Sequence, residues 1–133
     1  YSYDSNFNLI STTDSLNRTT SYSYDEKGNK TRELLPDSSE LRYTYNRFNQ
    51  LLTKSDELGQ LSARSYDEFG RVLTHTDRTG AVRRLLYGAD ANPIQLISTT
   101  GAAIKLSYNG EGKIEEVQNP LGGKASFRFD ANG

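Results

Sequence analysis

The sequence predicts an all-β fold, an antiparallel meander of consecutive β-hairpins. Three observations predict it: an aromatic ring that returns every 21 residues, two turn signals in each period, and period-two alternation between the turns. The rings are Tyr3, Tyr24, Tyr45, Tyr66, Tyr87, Tyr108 and Phe129, in register with no insertion or deletion. Six full periods cover residues 3–128 and a seventh begins at the end, so the chain is read as one repeat array over residues 1–133.

The first turn of each period follows the ring. Asp4, Asp25, Asn46, Asp67, Gly88, Asn109 and Asp130 stand directly after it, and Phe7, Gly28, Asn49, Gly70, Ala91, Gly112 and Gly133 stand three residues further on. An Asp or Asn side chain accepts a hydrogen bond from the backbone N–H two residues ahead, and Gly or Asn then takes the positive φ that closes the bend. The second turn repeats the pattern with Asp14, Leu35, Asp56, Asp77, Ser98 and Asn119, paired with Asn17, Ser38, Gly59, Gly80, Gly101 and Gly122. Four residues of this kind suit a type I turn followed by a left-handed residue.

Strand-length segments remain between the turns. In Leu41-Arg42-Tyr43-Thr44-Tyr45 the odd positions are apolar or aromatic and the even ones polar; Ile104, Leu106 and Tyr108 alternate with Lys105 and Ser107, and Ala125, Phe127 and Phe129 with Ser126 and Arg128. Such alternation sends one set to each face of a sheet. The segment after each ring is less regular, with adjacent apolar pairs at Leu9-Ile10, Leu51-Leu52 and Val72-Leu73. No window has helical periodicity. Short turns between successive strands require antiparallel neighbours. Pro93 lacks a ladder donor, which predicts an irregularity or a strand start there, whereas Pro36 fits the first central position of a type I turn.

Composition removes several classes of function. With 16 Lys+Arg against 17 Asp+Glu, the chain has no field to attract nucleic acid or an anionic membrane, and neither is expected as a partner. Nine Tyr and five Phe are too many rings for a disordered segment, although only 34% of the residues are apolar. No run of about 18 apolar residues is present, and no basic-then-apolar leader. Zero Cys removes disulfides, thiol nucleophiles and Cys-based zinc sites, and a single His argues against a His-based metal centre. No cofactor and no metal are expected. Zero Met, with residue 1 already in a strand-like segment, suggests a piece of a larger protein.

Tyr24-Asp25-Glu26-Lys27-Gly28-Asn29-Lys30 and Tyr66-Asp67-Glu68-Phe69-Gly70-Arg71 match the Y-D-x-x-G-[NR] core of the YD repeats, also called Rhs repeats. The later Asp56-Glu57-Leu58-Gly59 stands where that family has its second turn. The sequence resembles a slice of the β-shell of bacterial Rhs proteins, of the C component of Tc toxins, or of teneurins. That resemblance implies hairpins that continue into a long spiralling sheet, with the rest of the parent shell as first partner. In the bacterial members it further implies an enclosed C-terminal toxin domain, secretion-apparatus or toxin-complex components as partners, and a parent secreted or delivered from a bacterial cell. The P-x-x-x-x-D-P-x-G type signature of the family's self-cleaving segment is missing here, as is a toxin domain, so neither activity transfers to any residue of this chain.

Candidate chemistry is sparse. His75 near Asp77, with Ser55 and Ser98 one period away, permits a Ser-His-Asp reading, but any chain this rich in serine offers one, and a solvated strand histidine is the preferred reading. Asp4, Asp25, Asp67 and Asp130 could form a carboxylate ladder for calcium; turn capping explains them without a metal. The Tyr stripe could stack sugars, or its rings could pack across strands, where aromatic pairs contribute about 0.2–1 kcal/mol each. Asn17-Arg18-Thr19 and Asn29-Lys30-Thr31 fit the N-glycosylation pattern, which arises readily at Asn-rich turns. No catalytic residue is assigned. The expected role is a structural, non-enzymatic wall that sequesters a toxic cargo, with an extracellular adhesion or carbohydrate-binding array as the alternative and self-association expected through open sheet edges. By the turn logic, Gly70→Val is expected to be more harmful than Lys54→Ala.

Overall fold

The structure, a computed structural model, describes residues 1–128. Phe129, Asp130 and Gly133 of the repeat columns lie outside the described residues. Two compact units divide the chain. The first, Tyr1–Arg64, carries β1 (Ser2–Tyr3), β2 (Leu9–Thr13), β3 (Thr19–Tyr24), β4 (Lys30–Leu34), β5 (Glu40–Tyr45), β6 (Leu51–Asp56) and most of β7 (Gly59–Tyr66). The second begins at Ser65 and carries β8 (Val72–Asp77), β9 (Val82–Tyr87), β10 (Pro93–Ile97), β11 (Ala103–Tyr108), β12 (Ile114–Gln118) and β13 (Lys124–Ser126). Strand order in the sheet is sequence order: an open antiparallel meander, all-β, without a helix among the described residues.

The turns share one design. In the hairpin joining β3 to β4, the Asp25 N–H donates to the Asn29 carbonyl at 2.9 Å and the Gly28 N–H to the Asp25 carbonyl at 3.1 Å. Eleven of the turns repeat this pair of bonds. The twelfth is tighter: β6 and β7 run up to Asp56 and Gly59, which pair directly, with only Glu57 and Leu58 between them. Every fourth turn residue has positive φ, whether it is glycine, as at Gly80 (83°), or not, as at Phe7, Asn17, Ser38, Asn49 and Ala91. Hydrogen bonding and the left-handed closing residue therefore persist at 88–91, where Gly88 and Ala91 depart furthest from the Asp-x-x-Gly pattern.

A second regularity escapes the sequence. Five of the rings pair with the residue six positions on, and the register slips there: Tyr3 with Leu9, Tyr24 with Lys30, Tyr45 with Leu51, Tyr87 with Pro93 and Tyr108 with Ile114. One extra residue on the outgoing strand is a β-bulge, which shifts the side-chain alternation by one. That shift explains why Leu9-Ile10 and Leu51-Leu52 break the clean alternation. Pro93 heads β10 and sits at such a slip, as its missing N–H requires, but the other four slips have no proline. The irregularity belongs to the repeat rather than to the proline.

No described residue is fully buried. In the second unit one face carries apolar rows in cross-strand register, Leu85–Leu96–Ile104 and Leu106–Val117–Ala125. The corresponding face of the first unit is polar and aromatic: Tyr22, Glu33 and Leu41 lie in register, and Tyr43 pairs with Lys54. Glu33 accepts from the Lys30 ammonium at 2.7 Å and from the Tyr43 hydroxyl at 3.0 Å, while Lys30 lies over the Tyr22 and Tyr43 rings. Each charge in this cluster thus has a partner, which is what its partial burial demands.

Candidate functional site

The recurring chemistry of this chain is its turn and tyrosine lattice. A type I turn closed by a left-handed residue leaves the N–H of its fifth residue without a backbone acceptor, and that N–H must find another partner. The first-position side chain supplies it. Asp25 Oδ1 accepts the N–H of both Lys27 and Asn29 at 2.9 Å. Asp4, Asp14, Asp67, Asp77, Asn46, Asn109 and Asn119 hold the N–H groups two and four residues ahead in the same way. Either Asp or Asn can cap the turn, because Oδ1 alone meets both N–H groups.

The second carboxylate oxygen explains the final motif position. Asp25 Oδ2 accepts from the Asn29 amide at 2.9 Å, Asp67 Oδ2 from the Arg71 guanidinium at 2.6 Å, and Asp14 Oδ2 from Arg18 at 2.7 Å. Arg71 then lies over the Tyr87 ring, 4.5 Å from its centroid, and over that of Phe69. Neighbouring turns are laced together as well. Lys27 donates to the Arg47 carbonyl at 3.3 Å and Asn29 to the Asn49 side chain at 3.0 Å, beside an open groove of about 540 Å³ lined by Thr31 and Thr44.

Tyrosine hydroxyls tie successive hairpins to one another. Tyr24 donates to the Leu9 carbonyl, Tyr45 to Lys30, Tyr87 to Val72 and Tyr108 to Pro93, at 2.8–2.9 Å and always fifteen residues back. Each acceptor is the first residue of the strand that follows the preceding ring's turn. The phenols are backbone struts, a role the column of rings does not disclose. Among the described residues, Tyr3 is the exposed member of the column.

Other candidate groups have local partners of their own. Asp77 Oδ1 is occupied by the N–H groups of Thr79 and Ala81 and by the Thr79 hydroxyl, and the Ser98 hydroxyl meets that of Thr100. His75 pairs across the sheet with Arg83. Among the described residues no cluster of three or more His, Asp or Glu is placed to hold a metal ion. The sequence reading included Asn29 and Arg71 as the last position of the motif but missed their bond to the turn aspartate, and it missed Arg18, which does the same at the second turn of its period. It also missed Thr99, whose hydroxyl accepts the Val82 N–H at 2.7 Å and donates to the Val82 carbonyl at 3.0 Å.

The lattice gives a pH dependence. The hydrogen bonds from the Asn29 side chain and backbone, helped by the Lys27 N–H, hold the Asp25 carboxyl below its ordinary value of 3.8. A carboxyl with a depressed folded-state pKa contributes stability that is fully present above the unfolded value and lost as pH falls through the folded one. Asp25→Asn keeps the Oδ1 acceptor but loses the charge that strengthens these bonds and the Oδ2 that accepts from the Asn29 amide. The wild-type chain is therefore expected to be more stable than this variant at neutral pH, with the gap closing below pH 3.8. Urea titrations of both chains at neutral and acid pH check it, and a gap independent of pH would contradict it.

The teneurin YD-shell family model matches residues 2–132. No curated protein sequence matches the chain. Among solved structures, the crystal structure of TcdB2-TccC3-Cdc42 aligns with a TM-score of 0.67 at 14% identity, over 76% of this chain and 5% of that one. The Photorhabdus luminescens Tc holotoxin pore, with a point mutation in TccC3, aligns with a TM-score of 0.67 at 16% identity, over 77% of this chain and 5% of that one. TcdB2-TccC3-TEV gives the same TM-score and identity over 76% of this chain and 5% of that one. At such identity the likeness is one of fold, and the chain spans about 5% of the length of these structures. An unbroken column of rings, closed turns and hairpin-to-hairpin struts is what a shell wall is built from, and the chain belongs to the teneurin YD-shell family.

Proposed function

We propose that this chain is a wall segment of a larger YD-repeat shell that encloses a C-terminal toxin domain in a bacterial toxin-delivery or competition system. The observation that carries the reading is the exposure of every described residue on at least part of its surface: the sheet is one layer thick, with no interior of its own. A single layer held by ladders, turn caps and tyrosine struts separates two spaces instead of forming a pocket. Its role is steric and non-enzymatic, and residues 1–133 act as one repeat array within the parent. The remaining shell and the enclosed domain are its partners, with toxin-complex or secretion components outside, and the parent leaves the bacterial cell. Four tyrosine hydroxyls are committed to backbone carbonyls, which supports a structural role for the column.

Limited proteolysis of the full-length parent tests this. The C-terminal domain is expected to survive while the shell is intact and to be digested once denaturant opens it. Digestion at the rate of the isolated domain would overturn the proposal. Saturable binding on a glycan array, lost on Tyr→Ala changes in the stripe, would instead establish the adhesion reading.

A further inference from the structure

We propose that Asn109 is a self-modifying position, where the backbone nitrogen of Gly110 attacks the Asn109 side-chain amide. Three turns open with an asparagine, and they differ in the next residue: Arg47 after Asn46, Gly110 after Asn109 and Pro120 after Asn119. Proline has no N–H to lose and cannot supply the nucleophile. Arginine supplies one behind a bulky side chain. Gly110 is exposed, has open space where a Cβ would stand, and its N–H has no hydrogen bond among the described residues.

The electrophile is prepared as well. The N–H groups of Glu111 and Lys113 each donate to Asn109 Oδ1 at 3.0 Å. Negative charge develops on that oxygen when a nucleophile adds to Cγ, and two donors already rest on it; Asn46 and Asn119 hold the same pair, so the following residue and the free Nδ2 set Asn109 apart. At Asn46 the departing nitrogen Nδ2 is held by Gln50 at 2.8 Å, whereas at Asn109 it has no partner among the described residues.

In the reaction the Gly110 nitrogen gives its proton to solvent and bonds to Cγ, the Cγ–Nδ2 bond breaks, and ammonia leaves with the proton it needs. The resulting cyclic imide adds water at one carbonyl to give aspartate, or at the other to give isoaspartate. Water is the only co-reactant. Aspartate at position 109 would keep both N–H bonds, as Asp25 and Asp67 do. Isoaspartate inserts a carbon into the backbone between β11 and β12 and cannot keep the turn.

The test is to incubate the whole chain at neutral pH and follow it by peptide-resolved mass spectrometry, with an isoaspartyl methyltransferase assay in parallel. The map must separate Asn109 from the Asn132-Gly133 pair. Because glycine alone offers an unobstructed nitrogen, conversion at Asn109 is expected at least about tenfold ahead of Asn46 and Asn119, as fast as in the urea-unfolded chain, and suppressed by Gly110→Ala. An Asn109 that stays intact while the unfolded chain converts, or that only keeps pace with Asn46, would overturn the proposal.

Discussion

Gly80→Val is expected to destabilise the chain by about 2 kcal/mol, while Glu26→Ala stays within about 0.5 kcal/mol of wild type. Gly80 closes the turn between β8 and β9 at φ 83°, and a Cβ built there meets nothing within 4 Å. The cost is therefore purely conformational: an L-residue in the left-handed region loses roughly 1–2 kcal/mol, and a β-branched one more. Ala91 supplies the converse. It holds φ 62° without glycine's freedom, so Ala91→Gly relieves that strain but gives up about 0.5–1 kcal/mol of unfolded-chain entropy. A net gain of about 0.5–1 kcal/mol is expected. Urea unfolding of the three variants beside wild type checks both signs. Equal midpoints for Gly80→Val and Glu26→Ala would mean that the turn does not depend on its left-handed residue.

Glu26 is the better reference because Lys54, which looks like a free surface lysine in the sequence, stands 5.7 Å from the Tyr43 ring centroid and adds to the positive field at Glu33. This shows where reading the sequence stops. The turns were legible because the left-handed closure and the side-chain cap are local, settled within five residues by Asp, Asn and Gly. Strand identity was legible because alternation is local too. The bulges were not: the slip at Tyr24–Lys30 or Tyr45–Leu51 is a relation between two strands, and within one strand it shows only as a broken alternation. Pro93 drew attention to one slip and concealed that the others share it. Nor does a column of rings reveal that their hydroxyls reach carbonyls fifteen residues away, since that depends on which strands the meander makes neighbours. The sheet's two-sided character was half legible. Ile104, Leu106 and Tyr108 marked a face, but the polar cluster around Glu33 on the first unit's counterpart came from cross-strand pairing alone.

The tyrosine struts set the second large effect. Tyr87→Ala is expected to cost about 3 kcal/mol and Tyr87→Phe about 1 kcal/mol, so that ring and hydroxyl can be weighed separately. The hydroxyl donates to the Val72 carbonyl at 2.8 Å, and its removal leaves that carbonyl to solvent or unpaired. The ring is half-buried, so truncation exposes on the order of 100 Å² of apolar surface, about 2.5 kcal/mol, besides the Arg71 contact at 4.5 Å. Tyr108→Phe should repeat the smaller loss, because its hydroxyl makes the same bond to the Pro93 carbonyl. The acceptor of the second strut, Pro93, is the cross-strand partner of Tyr87, so the two losses are expected to couple in the double phenylalanine variant instead of simply adding. Thermal or urea unfolding of the single and double variants measures each term. If Tyr87→Phe costs nothing, the hydroxyl does not join the hairpins and the sheet is held by its ladders alone. A loss as large as that of Tyr87→Ala would place the whole contribution in the hydrogen bond. The intermediate result is the one a wall needs, since each strut links one hairpin to the hairpin before it and the array is tied by many modest, repeated bonds rather than by a core.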